Sequence, residues 1–235
     1  MIENIDFFGI TISSFTEEEL WINVDKDILN KSSAVYYCTG FYNIILLEKY
    51  PELYLYSSNV NVTLMDGHLF KKFINILGYK IKYELSMPRF VLSLLEHLNS
   101  DKKVFALGGD NQVNCLAIES IVNKYKITNV AGRNGYFKES EELEIINEIN
   151  NFAPDILLIG ISSPIKERFF YKWKSRKGRW VYWAVSPDPN NILLLRGQLF
   201  PPVRIVHNIS MHKKKTNVIS NHEMFPFAAM TSGHE

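Results

Sequence analysis

Short apolar runs ending in glycine or polar turns alternate along this chain with longer stretches whose apolar residues fall at helical spacing. Residues 5–12 predict a strand whose alternation is interrupted by glycine. Residues 13–24 predict a helix, with Ser14 or Thr16 as N-cap and Glu17 to Glu19 in its first turn. Residues 34–37 are rich in β formers and run into Cys38-Thr39-Gly40, a strand closed by a glycine turn. A helix follows over 42–48 and stops before Pro51, then a strand over 61–65 and a helix over 67–77. A helix over 90–98, with Pro88 near its first turn, leads to a strand over 103–107 that enters Gly108-Gly109-Asp110. Val113, Leu116, Ala117 and Ile121 mark a helix over 112–125, followed by a strand over 127–131 and a helix over 139–151. Residues 155–161 are apolar almost throughout, as in a strand covered on both faces. Pro164 opens a turn and a helix over 166–174, and 180–185 is the last strand.

This order of strand, glycine-bearing turn and helix predicts an α/β fold: a mostly parallel sheet with right-handed crossovers and flanking helices. No internal repeat or linker divides the first 205 residues. Prolines 187, 189, 201 and 202 then break the pattern, and 206–235, with Lys213-Lys214-Lys215, reads as an irregular C-terminal tail.

Composition narrows the function classes. Of 235 residues, 46% are hydrophobic and 22% charged, which suits a globular core, and a net charge of +1 gives no case for nucleic acid. Cys38 and Cys115, each in an apolar context and far apart, predict core thiols in a reducing compartment. Glu3 and Asp6 near the start do not resemble a secretory leader. No apolar run reaches the roughly 18 residues needed to cross a bilayer, so a soluble or surface-attached protein is expected. The six histidines form no ligand pattern with the cysteines, so no metal is expected. P-loop and dinucleotide fingerprints are both absent. Ser58, Ser162 and Ser163 read as turn or phosphate-binding residues rather than nucleophiles.

In open parallel sheets ligands gather beyond the carboxyl ends of the strands. Four segments are expected there: Thr39-Gly40, Asp66-Gly67, Gly108-Gly109-Asp110 and Ser162-Ser163-Pro164. Gly108-Gly109 would let backbone approach a ligand, and the next helix would offer unpaired amides to a phosphate. Asp66 is either an ordinary Asp-Gly turn residue or a carboxylate held at the rim to act on a hydroxyl.

Several segments, in order, bear on that choice: Tyr50-Pro51-Glu52-Leu53, Leu64-Met65-Asp66-Gly67, Val104 to Gly109, Gly135-Tyr136-Phe137, Ala153 to Gly160, and Ser163-Pro164-Ile165-Lys166-Glu167. Together they resemble the WecG/TagA/CpsF family of glycosyltransferases over about residues 1–205. The resemblance implies a Rossmann-like sheet and an inverting transfer of a hexose or N-acetylhexosamine. The donor would be a UDP-sugar and the acceptor a polyprenyl-diphosphate-linked glycan of bacterial surface polysaccharide. It implies work at the cytoplasmic membrane face, no cofactor, and a tendency to form homo-oligomers. Asp66 would be the general base and Thr39 would stand beside the reacting centre. Gly108 and Gly109 would meet the nucleotide sugar, with Pro164 and Glu167 in a later nucleotide loop. Gly40, Phe41, Arg89, Asp110, Tyr136, Ser163, Lys166 and Asp188 complete the expected substrate-binding positions.

The chain also departs from that pattern. Gly40 and Phe41 stand where the family has proline and asparagine, and 83–88 lack an arginine–aspartate pair whose cation Arg89 would supply from nearby. Lys166 replaces a glutamine, and Glu167 reads either as a ribose ligand or as an exposed helix carboxylate near Lys166 and Arg168. Ser186 to Asn190 replace a glycine-rich loop, with Asp188 as a displaced acid. Arg196, Arg204 and 213–215 supply charge but no amphipathic helix. Alternative readings are a degenerate member that binds a nucleotide sugar or a partner enzyme, and an α/β enzyme acting on another phosphorylated metabolite.

Overall fold

A computed structural model describes residues 2–30, 32–173 and the backbone of 181–184. The chain opens with an antiparallel hairpin, β1 (Glu3–Phe7) and β2 (Ile10–Ser14), in which Phe7 pairs with Ile10. The single strand expected over 5–12 is therefore two. Phe8 (φ 50°) and Gly9 (φ 80°) both take left-handed backbone, which is the two-residue turn that reverses a strand. The hairpin covers the outer edge of β4 (Val62–Met65): the Thr63 amide donates to Ser13 Oγ at 3.0 Å.

Helix α1 (Glu17–Leu29) starts from Thr16, whose hydroxyl accepts from the Glu19 amide while the Glu19 carboxylate accepts from the Thr16 amide. Ser14, the other candidate cap, lies in β2 and donates to the Lys80 carbonyl instead. The remaining elements alternate as expected: β3 (Val35–Thr39), α2 (Phe41–Lys49), β4, α4 (His68–Ile76), α5 (Met87–His97), β5 (Lys103–Gly108), α6 (Asn111–Tyr125), β6 (Asn129–Arg133), α7 (Glu142–Phe152), β7 (Ile156–Gly160), α8 (Ile165–Trp173) and β8 (Val181–Ala184). A one-turn helix, α3 (Leu53–Ser57), lies between α2 and β4.

β3 to β8 form one six-stranded sheet in the order β4-β3-β8-β7-β5-β6, parallel at every pairing. Alternate residues along each strand enter separate cores. On one face Tyr36, Val104, Ile156 and Leu158 pack with Leu20, Phe90, Leu94 and Ile121 of the helices. On the other, Val35, Phe105, Leu157 and Ile159 pack with Ile145, Ile149, Phe169 and Trp173. β7 is thus buried on both faces, which is why its sequence shows no alternation. A third cluster joins the hairpin to α2, α3 and α4 through Ile12, Leu47, Phe70 and Ile74. Among the described residues no helix is long and apolar enough to cross a membrane.

The expectation of two core thiols holds for Cys38 alone. Cys115 is exposed, because α6 turns Asn114 and Ile121 inward and leaves position 115 outside.

Candidate functional site

Parallel strands deliver their carboxyl ends to one rim, and the registers fix which residues meet there. Thr39 lies opposite Met65, and the next amide, that of Asp66, donates to the Thr39 carbonyl at 2.8 Å. Backbone thus holds Asp66 at the rim, whatever its side chain does. A Cβ on Gly40 would come within 3.1 Å of the Asp66 carbonyl oxygen, so a larger residue at 40 requires the Asp66 turn to give by a few tenths of an ångström. The Leu85 amide donates to the Met65 carbonyl at 3.0 Å, which brings the segment before α5 against the same strand end. Arg89, exposed in the first turn of α5, enters the neighbourhood by that route. Burial, and then the nearby Asp66 carboxylate, push the Cys38 thiol up, so this cysteine is a packed core residue and not a nucleophile.

The glycine turn after β5 has its own reason. A Cβ on Gly108 would lie 2.5 Å from the Gly160 carbonyl oxygen, so β5 and β7 close together only because that position is bare. Gly109 (φ 67°) would meet Val113 at 2.6 Å, and its carbonyl accepts from the Gly135 amide at 2.8 Å. Asp110 caps α6, its Oδ1 accepting from the Val113 amide at 2.8 Å. Tyr136, next to Gly135, points its ring into solvent. Asn114 is buried beneath the turn, with its amide nitrogen within 3.0 Å of the Ala106, Gly108 and Arg133 carbonyls. It braces the turn, and an asparagine inside a helical apolar pattern was the available signal for it.

A buried polar cluster occupies the other part of the rim. Glu167 Oε1 accepts from Ser163 Oγ at 2.6 Å and Tyr37 OH at 2.9 Å, and lies 3.0 Å from Lys166 Nζ. Lys166 also donates to Ser163, and Asn43 donates to Tyr37 OH at 2.8 Å. Lys166 and Glu167 are 3% and 5% exposed, which overturns the reading of Glu167 as an exposed helix carboxylate. Arg168, its other expected neighbour, turns outward to Glu52 at 2.5 Å. Burial, and then the Glu167 charge, hold the Tyr37 phenol well above its ordinary range. The Ser163–Pro164 bond before this helix is cis.

Val35, Tyr37 and Thr39 share one face of β3, and a pocket runs along them under α2, α3 and α8. Its free interior is small, about 40 Å³, before it opens to solvent. Leu47, Leu53, Val60 and Phe170 make apolar walls, while Tyr37, Thr39, Asn43, Lys166 and Glu167 make a polar end. Among the described residues two buried oxygens there, Thr39 Oγ1 and Glu167 Oε2, have no hydrogen-bond partner. Such atoms are expensive unless a ligand or water completes them.

The expected site residues therefore fall into three neighbourhoods on one rim. Thr39, Gly40 and Asp66 form one, with the α5 turn bearing Arg89 beside it. Gly108, Gly109, Asp110 and Tyr136 form another, and Ser163, Pro164, Lys166 and Glu167 share the third with Thr39. Phe41 leaves the rim, its ring tilted against that of Phe70 of α4 with centroids 4.7 Å apart. Asp188, the prolines that follow it, and the basic tail lie outside the described residues. Tyr37 and Asn43 had not been singled out, although alternation through Val35, Tyr37 and Thr39 was a signal for the first of them.

Compared with protein families, residues 5–186 match the one described as the Glycosyl transferase WecG/TagA/CpsF family. The chain belongs to that family. No curated protein matches it. Membership brings a glycosyltransferase-like role to this α/β fold, and the resemblance carried by Asp66-Gly67, Gly108-Gly109 and Ser163 to Glu167 falls within the matched span.

Proposed function

We propose that this family member is an inverting hexosyltransferase that uses a UDP-sugar donor and a polyprenyl-diphosphate-linked glycan acceptor. The observation that carries the reading is the backbone clamp on Asp66, which fixes a half-buried carboxylate one residue beyond a strand end, beside the Thr39 pocket. In the transfer the acceptor hydroxyl oxygen bonds to the anomeric carbon as the bond from that carbon to the UDP oxygen breaks. The electron pair leaves on UDP, the hydroxyl proton passes to Asp66, and configuration inverts. Neither a metal nor a cofactor enters that step.

The all-parallel sheet supports a donor stretched along the rim. Four strand spacings, each roughly 4.8 Å, separate the end of β4 from that of β5, on the order of 19 Å. A nucleotide diphosphate sugar reaches from the Gly108-Gly109 turn towards Asp66 only in an extended pose. The α6 N-terminus is the group suited to its phosphates, and Glu167 and Thr39 to its hydroxyls.

Asp66→Asn tests the assignment. Turnover should fall by about a hundredfold or more, the contribution of a general base, while UDP binding measured by calorimetry stays within about twofold. Unchanged turnover would remove Asp66 from the reaction. One observation favours the alternative of binding without transfer: Lys166 fills the polar end of the pocket and is already satisfied by Glu167 and Ser163. On that reading the wild-type chain binds a nucleotide sugar and releases no UDP in the presence of acceptor. Calorimetry with UDP, GDP and CMP separates both from an enzyme of another phosphorylated metabolite.

A further inference from the structure

Two helices that begin at the rim present apolar side chains outward. α4 buries Phe70 and Ile74, yet Leu69, Phe73 and Ile76, spaced as one stripe, are exposed, Leu69 at 74% and Ile76 at 83%. α2 adds Phe41, Tyr42 and Ile45, also exposed and on one face. The Phe41 ring lies 5.9 Å from that of Phe73, so the two stripes join. A monomer in water does not ordinarily leave such a contiguous patch unpartnered.

The charge around the patch says what covers it. Residues 67–83 carry Lys71, Lys72, Lys80 and Lys82 and no aspartate or glutamate. The nearest acids have positions of their own: Asp66 lies in the rim before the α4 cap, Glu84 faces His68 at 3.3 Å, and Glu19 lies 3.8 Å from Lys82. In α2, Glu48 and Lys49 cancel. A second copy meeting this face about a twofold axis would bring lysines against lysines. An anionic lipid surface takes both the apolar stripe and the lysines beside it.

We propose that the α2–α4 face rests on an anionic bilayer surface, with the exposed stripe in the headgroup boundary and the lysines on lipid phosphates. Gly40 and Gly67 cap these helices, and Asp66 lies between them in the rim. The docked face thus sets the base side of the rim beside the interface. That consequence for a lipid-linked acceptor rests on the transferase reading, whereas the surface contact does not.

Flotation of the full chain with phosphatidylcholine–phosphatidylglycerol vesicles, against phosphatidylcholine alone, tests it. The wild type should float with the anionic vesicles, and the double variant Leu69→Ser/Ile76→Ser should bind them at least about tenfold more weakly. Lys72→Glu should weaken binding about fivefold on anionic vesicles only. Both variants alter exposed positions, so circular dichroism and Tm should match the wild type. Asp66→Asn should float like the wild type, which keeps failure of the chemistry distinct from failure of the docking. The proposal falls if the wild type does not float, or if the double variant floats equally well. It also falls if that variant instead turns an oligomer into a smaller species by light scattering, assigning the face to a second copy. A lowered Tm with vesicle binding intact would assign it to another segment of this chain.

Discussion

Replacing Thr39 with valine should move stability and activity in opposite directions. The side chain is 1% exposed and its Oγ1 has no partner among the described residues. Valine keeps the β-branch that suits a strand and deletes the buried hydroxyl. An unsatisfied buried hydroxyl costs about 1–3 kcal/mol, and a methyl must fit in its place, so the net gain should be about 1 kcal/mol. In a domain of this size that raises Tm by about 2–4 °C. On the proposed reading the same change deletes a hydrogen bond to substrate, and kcat/KM should fall about three- to tenfold. Urea unfolding with an unchanged m-value measures the first effect, and steady-state transfer the second. A loss of more than about 1 kcal/mol of stability would show the hydroxyl to be bonded in the folded chain. Greater stability with unaltered kcat/KM would show that it meets no substrate. Either result refutes the argument that Thr39 is held unsatisfied for a ligand.

Glu167→Gln removes the carboxylate facing buried Lys166 at 3.0 Å and should cost about 3 kcal/mol in urea unfolding. Adding Lys166→Met should recover most of it, and no recovery would show that the two do not act as a pair. Gly108→Ala would drive a Cβ to 2.5 Å from the Gly160 carbonyl oxygen and should destabilise by about 2–4 kcal/mol; a loss under about 1 would mean that β5 and β7 part easily. Alkaline unfolding has a defined sign. Burial, then Glu167, raises the Tyr37 phenol, and burial, then Asp27, raises Tyr36. Both folded values lie above the unfolded value near 10, so their stabilisation is whole below about pH 10 and is lost as pH rises through the folded values. Stability measured over about pH 8–11 should fall at the alkaline end, and less steeply in Tyr37→Phe.

What was legible in the sequence was whatever depends on backbone and local pattern. Strand ends followed by glycine located Thr39, Asp66 and Gly108 because parallel strands allow only one place for them. The hairpin turn was not legible, since Phe8-Gly9 lacks the Asn-Gly or Asp-Gly signature that normally marks positive φ. α3 was missed because five residues after a proline carry too little periodicity to read as a helix. The buried cluster was hidden for another reason. Tyr37 and Glu167 are 130 residues apart, and nothing local says that a Lys-Glu pair in a helix has turned inward. Such pairs usually lie on the solvated face, which is why an exposed carboxylate was one of the two readings of Glu167.

The contrast between retained and altered positions has a structural basis. The turns that build the rim are held by main-chain contacts: the Asp66 amide on the Thr39 carbonyl, the Leu85 amide on the Met65 carbonyl, and Gly108 against Gly160. None of these contacts consults the side chains at Phe41, Lys166 or Arg89, so those can change without moving the carboxylate. Lys166 shows how far such a change reaches. A lysine at that buried place needs a counter-charge, and Glu167 meets it with the oxygen that also receives Ser163 and Tyr37. Glu167 is then committed through Oε1 and keeps Oε2 for a ligand. A carboxylate with one oxygen in the protein and one turned to the pocket accepts a single hydroxyl and repels phosphate. On the proposed reading the sugar or ribose would lie against Glu167, and the diphosphate towards the Gly108-Gly109 turn.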